Sequence, residues 1–441
     1  MPDLQQELLE RAQQAVELGQ ASGAQGVWAG ASRGRSVQFE YRDGKLEKVQ
    51  ESTSRSLGLQ LYVDGRYSTC NTTDLRPEEL KSFVADAVEL TRALQPDPHR
   101  QLPDPALFEG RSEADLDLVD SGLTELTQDE RIAWCAAMDE LIRADERVIS
   151  TTAGVSDGHN VSAAASSNGF SGSHESTSIW MGTEVSLNDP AGGRPESWNW
   201  IGGRHRDQLQ PPEQVAQECM RRAIARLGTQ KGKTRTGTLI VEPRAGGRLI
   251  GQLLRAANAR SIQQGRSFWA DKLGQKLFSD KLTLIDDPLL PRGLSSRHFD
   301  GEGIASKRMP LIEGGVVKNV YVDTYYGRKA EMTPTTGGRT NLLFEGGEGD
   351  LDHWLKEVGE GVLLTTWMGG NSDGTTGDFS FGMRGHPIEG GQIGGPIGEV
   401  NITGNLVDLF SKLVAVGEDA WAYSGVRSPT LVFEGVQFSG A

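Results

Sequence analysis

Gly26-Val-Trp-Ala-Gly30, Ser36-Val-Gln-Phe-Glu-Tyr41, Lys45-Leu-Glu-Lys-Val-Gln50, Ser56-Leu-Gly-Leu-Gln-Leu-Tyr-Val63 and Arg66-Tyr-Ser-Thr-Cys70 follow one another with little between them. Apolar and polar residues alternate in each run, which is the period of a strand with one buried face. Asp43-Gly44 and Asp64-Gly65 punctuate the series. Asp-Gly supplies the positive φ angles of a two-residue hairpin turn, so the segment predicts an antiparallel meander.

On either side the period changes to that of a helix. From Asp3 to about Ala21, the residues Leu4, Leu8, Ala12, Ala15, Val16 and Leu18 form one stripe, with Asp3 placed to cap it. From Pro77 to about Leu94, Leu80, Phe83, Val84, Ala87, Val88 and Leu94 form another, which stops before Pro96-Asp-Pro98. Helix, meander and helix make an α+β unit over residues 1–95.

The Pro- and acid-rich stretch 96–122 reads as a linker. Thr127 lies three residues ahead of Glu130, a capping box for a helix to about Ala144. Val148 to Ile201 is rich in Ser, Thr and Gly and alternates, with Asn168-Gly169 as a two-residue turn, so a long antiparallel hairpin system is expected. Pro211-Pro212 opens a helix to about Leu227, which completes a middle unit over 123–228. The basic run Gln230-Lys-Gly-Lys-Thr-Arg-Thr236 marks the next boundary.

Residues 235–441 are dense in glycine. A strand at Thr238–Glu242 precedes a helix expected over about 245–264, and a further helix is expected from about Leu406 to Val416. Leu282-Thr-Leu-Ile285, Gly361-Val-Leu-Leu-Thr-Thr366, Gly398-Glu-Val-Asn-Ile402 and Thr430-Leu-Val-Phe-Glu434 are short strand-like runs set between Gly pairs. Their spacing predicts a β-barrel or sandwich-like domain. The fold class is therefore α+β: an N-terminal antiparallel sheet with helices, a middle helix and long-hairpin segment, and a Gly-rich C-terminal β domain.

Composition narrows the partners. Of 441 residues, 45 are Lys or Arg and 60 are Asp or Glu, a net charge of −15, which repels phosphate backbones and anionic lipid. Neither a nucleic acid nor a membrane is expected as a partner. No run approaches the roughly 18 apolar residues of a membrane span, and the N-terminus has no basic stretch followed by an apolar one. The expected address is the cytoplasm. Cys70, Cys135 and Cys219 are too few and too scattered for a disulfide framework or a metal knuckle and are expected to be small core residues. At a cytoplasmic address the Asn-x-Ser/Thr sites at Asn71, Asn160 and Asn401 carry no glycan.

Local catalytic motifs are sparse. Gly370-Asn-Ser372-Asp-Gly374 has the spacing of a nucleophile elbow, but it continues into extended sequence instead of a helix, so a structural turn competes with the catalytic reading. The seven histidines, at 99, 159, 174, 205, 298, 353 and 386, never fall three or four apart, so no local zinc motif exists. Arg339 and Arg384 lie in Gly-rich sequence, where each either clamps a carboxylate or pairs with a nearby acid.

A set of strings in the C-terminal half says more. Gly265-Arg-Ser-Phe-Trp-Ala-Asp-Lys-Leu-Gly274, Leu284-Ile-Asp-Asp-Pro288, Phe299-Asp-Gly-Glu-Gly303, Leu311-Ile-Glu-Gly-Gly-Val-Val-Lys-Asn319, Thr376-Gly-Asp-Phe-Ser-Phe-Gly382 and Ser428-Pro-Thr430 together resemble the TldD/PmbA family, as does Gly58-Leu-Gln-Leu-Tyr-Val-Asp-Gly-Arg66. The resemblance implies an intracellular metallopeptidase assembly of two related subunits. The TldD-type chain bears a helix with HExxxH and binds zinc, and short or partly unfolded peptides enter a chamber between the pair. The interval where that helix should fall, Arg244 to Gly265, contains no His, Asp, Glu or Cys. Counted back without a gap, the two histidine places fall near Ile250 and Arg255. The zinc-bearing subunit also uses a late cysteine, and nothing after Cys219 is Cys. The chain therefore resembles the TldE (PmbA) side of the pair.

No catalytic or metal-ligating residue is assigned to this chain, and no cofactor; the zinc is expected in a TldD-like partner. The loop Asp373-Gly374-Thr375-Thr376-Gly377-Asp378 is expected to face the peptide chamber, because small residues let another backbone approach closely. Arg339 and Arg384 are expected beside it. Trp367, Phe379 and Phe381 are expected to be exposed and to bring C-terminal domains together, as a homodimer when the chain is alone. Two readings remain open: a non-catalytic wall that helps hold an extended peptide for the partner's zinc, and a stand-alone homodimer that binds peptides or small ligands without catalysis.

Overall fold

A computed structural model describes residues 4–440; Asp3, the expected cap of the first helix, lies outside them. The opening elements are α1 (Leu4–Ala21), β1 (Gly26–Arg42), β2 (Lys45–Val63), β3 (Arg66–Thr72) and α2 (Pro77–Arg92). Both Asp-Gly pairs make two-residue turns, with Arg42 opposite Lys45 and Val63 opposite Arg66. Their φ angles are positive at both residues, 47° and 83° at Asp43 and Gly44, 49° and 73° at Asp64 and Gly65, as a type I′ turn requires.

The middle unit adds α3 (Gln128–Arg143), β4 (Val148–Ser166), β5 (Ser171–Leu187), β6 (Glu196–Gly203) and α4 (Pro212–Ile224). The Thr127 hydroxyl accepts from the Glu130 amide at 3.2 Å, and the Glu130 carboxylate accepts from the Thr127 amide at 2.7 Å, completing the capping box. β1 pairs antiparallel with β4 from Trp28↔Ser166 to Arg42↔Thr152. Residues 1–95 and 123–228 therefore share one sheet, in the order β3-β2-β1-β4-β5-β6. Val27, Ala29, Ala31, Val37 and Phe39 have one parity along β1 and so lie on one face. α1 and α2 cover one end of that face with Leu8, Ala12, Val84 and Val88, and α3 and α4 cover the other with Cys135, Met138 and Cys219. Cys70 is half-buried at the edge of the first cluster.

Two expectations in this half are corrected. The β4–β5 connection is longer than a two-residue Asn168-Gly169 turn: the last pair is Ala165↔Ser171, and the Ser166 amide donates to the Phe170 carbonyl at 3.0 Å. The extra length carries Phe170 onto Trp28, with ring centroids 4.8 Å apart. Residues 96–122 are a strap rather than a free linker. Leu116 and Leu118 are buried, the Arg328 guanidinium donates to the carbonyls of Gln101 and Leu102 at 2.8 and 2.7 Å, and the Leu118 carbonyl accepts from the Thr177 amide at 2.9 Å.

The C-terminal part holds a closed five-stranded barrel. Its strands are β7 (Arg235–Val241), β8 (Glu360–Ser372), β9 (Asp378–Glu389), β10 (Ile397–Asn405) and β11 (Leu431–Ser439). β7 runs parallel to β8; the β8–β9, β9–β10, β10–β11 and β11–β7 pairs are antiparallel and close the ring. Leu239, Val241, Leu364, Phe381, Val400 and Phe438 belong to the core it encloses, while Ile240, Leu363 and Val432 face outward under Leu355 of the helix Leu351–Val358. A smaller five-stranded sheet stands beside it and includes Leu284–Asp287 and Asn341–Phe344.

Both long helices expected here are shorter. The first is α5 (Pro243–Leu254); the chain then opens through Arg255–Asn258, where the Asn258 side chain caps a new short helix, Ala259–Gln263, by accepting from the Ser261 amide at 2.9 Å. The second stops at Ser411, because Leu413–Val416 pairs with β11 as a strand. The expected exposure of Trp367, Phe379 and Phe381 is also corrected. Phe379 and Phe381 are buried and stacked at 5.1 Å, and Trp367 is half-buried against Phe381 at 5.6 Å, so these rings close the barrel instead of offering an outer surface. Among the described residues no helix is long and apolar enough to cross a membrane.

Candidate functional site along the Pro243–Leu254 helix

β7 pairs with β8 only over Val362–Leu364. Beyond Leu364, β8 has no second strand beside it among the described residues, and α5 takes that place. Three hydrogen bonds tie helix to strand in order: Trp367 Nε1 donates to the Ala245 carbonyl at 2.8 Å, Arg248 donates to the Met368 carbonyl at 2.6 Å, and the Ser372 hydroxyl donates to Gln252 Oε1 at 2.6 Å. Pro243 starts the helix, where its fixed φ suits the first turn and its missing N–H leaves nothing unsatisfied. Leu249, Ile250, Leu253 and Leu254 are buried, whereas Arg244, Arg248 and Gln252 are only partly so. α5 and β8 thus run side by side, bridged at Ala245, Arg248 and Gln252, with Gly369–Asn371 exposed on the strand.

The surroundings at the start of α5 are basic. Arg222, on α4, bonds both carboxylate oxygens of Glu242, one of them at 3.0 Å. Arg221 does the same to Glu218 at 2.7 and 2.8 Å. Arg226, Arg244 and Arg248 then line a cleft of about 210 Å³ together with Trp198, Thr366 and Trp367. Burial, reinforced by the neighbouring Arg222, pushes the guanidinium pKa of Arg226 and of Arg244 down to about 10. Sequence reasoning passed over these residues. A signal was available: Arg222 with Arg226, and Arg244 with Arg248, stand four apart, the latter pair in an interval free of acids within a chain of charge −15.

The residues expected at the chamber are spread along the β8–β9 hairpin and α5. Asp373–Asp378 is the tip of the β8–β9 hairpin, exposed at Asp373, Thr375, Thr376 and Asp378 and buried at Gly377. Asp373 accepts from the Thr375 amide at 2.7 Å, and Asp378 accepts from the Thr376 hydroxyl and the Asn405 amide at 2.8 and 3.0 Å, so hydrogen bonds hold both carboxyls below the usual range. Gly374 meets the Phe268 amide at 3.2 Å, and Gly377, at φ 86°, accepts from the Leu406 amide at 2.8 Å. Arg339 is exposed and passes beside Gly251, near the far end of α5, whereas Arg384 sits opposite Thr366, next to Arg226. Ile250 is wholly buried in the barrel core, and Arg255 is the exposed cap residue at the helix end, so the two positions do not face one space. Ser372 lies on a strand and bonds to Gln252 instead of a base, which removes the geometry of a nucleophile elbow.

Zinc needs imidazole, thiolate or carboxylate ligands. The polar side chains α5 leaves partly exposed are Arg244, Arg248 and Gln252, and the nearby carboxylates Glu242 and Glu218 are engaged by Arg222 and Arg221. These residues do not fit a zinc ion. Among the described residues no group of three His, Cys, Asp or Glu side chains could hold a metal. His386, which lines the cavity behind Glu242, makes a hydrogen bond through Nδ1 to the Gly394 carbonyl at 3.0 Å. Burial holds it, and His174, below the ordinary 6.5. A histidine depressed in the folded state stabilises fully above its unfolded pKa and loses that contribution as pH falls below it. Acidification below about 6.5 is thus expected to destabilise the chain, and His386→Gln to flatten that slope. Urea midpoints at about pH 7.5 and about pH 5.5 measure it; an unchanged slope in the variant contradicts this role.

Comparisons with known proteins agree with this architecture. Residues 29–91, 122–227 and 234–440 match the models for PmbA/TldA metallopeptidase domain 1, the central domain and the C-terminal domain. The chain is 30% identical to Metalloprotease PmbA of Escherichia coli O157:H7, over 99% of this chain and 97% of that one. It is 27% identical to the PmbA homolog of Haemophilus influenzae, again over 99% and 97%. Among solved structures, a proposed modulator of DNA gyrase from Bacteroides thetaiotaomicron superposes with a TM-score of 0.96 at 34% identity, covering 100% of each chain. TldE from Thermococcus kodakarensis superposes at 0.87 with 20% identity, over 98% of this chain and 100% of that one, which speaks to the fold. Matched along its whole length in sequence and in architecture, the chain belongs to the PmbA/TldD family.

Proposed function

We propose that this chain is the non-catalytic, metal-free member of a TldD/TldE-type peptidase pair, closing the chamber in which peptides and unfolded polypeptides are held for the zinc of a TldD-like partner. The observation that carries this reading is α5 itself. The helix stands where the family's metal helix is expected, keeps its apolar face in the barrel core, and presents Arg244, Arg248 and Gln252 instead of ligands. Beside it, the backbone of Gly369–Asn371 is exposed on a strand with no second strand neighbour among the described residues, and backbone pairing at such a position holds peptides with little regard to sequence.

The test is to purify the chain alone and together with a TldD-like chain from the same source. Alone, it is expected to hold no stoichiometric zinc and to cleave no peptide; together, the two co-purify, and the zinc and the cleavage belong to the pair. Ser372→Ala is expected to leave that cleavage within about twofold, since its hydroxyl only ties hairpin to helix. One tightly held zinc per isolated chain, or a homodimer that binds peptide and ignores the partner, refutes the proposal.

A further inference from the structure

The cleft at the start of α5 gathers more positive charge than the chain's own carboxylates meet. Among the described residues Arg226 bonds only to neutral oxygens, the Glu196 carbonyl and the Thr366 hydroxyl. Arg248 bonds to the Met368 carbonyl and lies over the Phe381 ring, 4.8 Å from its centroid. Arg244 is one-tenth exposed and lies over the Trp198 and Trp421 rings at 5.0 and 4.7 Å; its Nη2 donates to the Trp198 carbonyl at 3.3 Å, and its Nη1 makes only a long ion pair to Glu218 at 4.0 Å, with no hydrogen-bond partner among the described residues. Among the described residues the Arg384 side chain makes no hydrogen bond or ion pair. Glu242 and Glu218 are already taken by Arg222 and Arg221.

Buried guanidiniums without a carboxylate in hydrogen-bond reach are costly, and their planar forks match a carboxylate in bidentate fashion. The cleft is small, about 210 Å³, and walled by Trp198 and Trp367. Next along the strand, Met368 and Gly369–Asn371 are exposed, which leaves a surface for the rest of a chain whose end is seated in the cleft. We propose that this cleft binds the free C-terminal carboxylate of a peptide, through Arg226, Arg244 and Arg248 with Arg384 adding charge. The proposal rests on the reading of this exposed strand as a peptide holder and adds which end of the peptide is anchored.

The full-length chain is titrated with N-acetylated tetraalanine as the free acid, with the same peptide amidated, and with inorganic phosphate, each followed by calorimetry and tryptophan fluorescence. The free acid is expected to bind at least about tenfold more tightly than the amide, with phosphate competing for the same guanidiniums. Arg226→Gln/Arg384→Gln is expected to remove the preference. Arg384→Gln alone, at a side chain with no bond to lose, is expected to weaken it and serves if the double variant does not fold. Equal binding of acid and amide overturns the carboxylate site while leaving peptide holding intact. Binding of phosphate without the acid peptide, or of none of the three probes, also overturns it.

Discussion

Arg222→Met is expected to destabilise the C-terminal half of the chain by about 3–5 kcal/mol, because it leaves the Glu242 carboxylate buried and unpaired at the root of α5. Both side chains of this pair are at most one-tenth exposed, 10% and 8%, so little solvent screening softens the loss. The double variant Arg222→Met/Glu242→Met is expected to recover most of it, since two apolar side chains of similar size replace a desolvated pair at little net cost. Urea unfolding of the wild type, both single variants and the double variant measures the cycle. A single-variant loss below about 1 kcal/mol, or a double variant no better than Arg222→Met, would show that the pair does not hold the junction between α4 and α5.

Ile250→His is expected to cost about 3 kcal/mol and to confer no zinc affinity, whereas Arg255→His is expected to stay within about 0.5 kcal/mol of wild type. Ile250 is fully buried among barrel residues, so an imidazole there loses apolar contacts and meets no acceptor, while Arg255 stands in solvent at the helix end. Thermal unfolding with and without added zinc tests both. A stable Ile250→His chain whose melting rises with zinc would mean that the helix can turn this position outward.

This pair of positions shows where sequence reading stopped. A gapless count fixes how many residues separate two positions, but not which side of the helix a residue faces. Here the phase is set by Leu249, Ile250, Leu253 and Leu254 packing into the barrel. The Asp43-Gly44 and Asp64-Gly65 turns were legible because their chemistry is local: two left-handed residues suffice. The Thr127–Glu130 box was legible for the same reason. The pairing of β1 with β4 was not, because both strands alternate and nothing in alternation names a distant neighbour. Phe379 and Phe381 stand at alternate positions among exposed residues in a Gly-rich stretch, and only the closure of the ring puts both inside it. The loop 373–378 was found as a turn from its small residues, yet it contributes nothing to the basic cleft, which forms where arginines from α4, its C-terminal end and α5 meet through tertiary packing alone.

The shared sheet also has a consequence during synthesis. β1 gains its second neighbour only when β4, ending at Ser166, has been made, and the intervening residues include the strap and α3. A nascent chain halted on the ribosome before Val148 therefore shows a long unpaired strand edge, and such edges template association with other chains until they are covered. Arrested chains ending before Val148 should recruit a holding chaperone, and chains extended beyond Leu187 should release it as the middle hairpin zips onto β1.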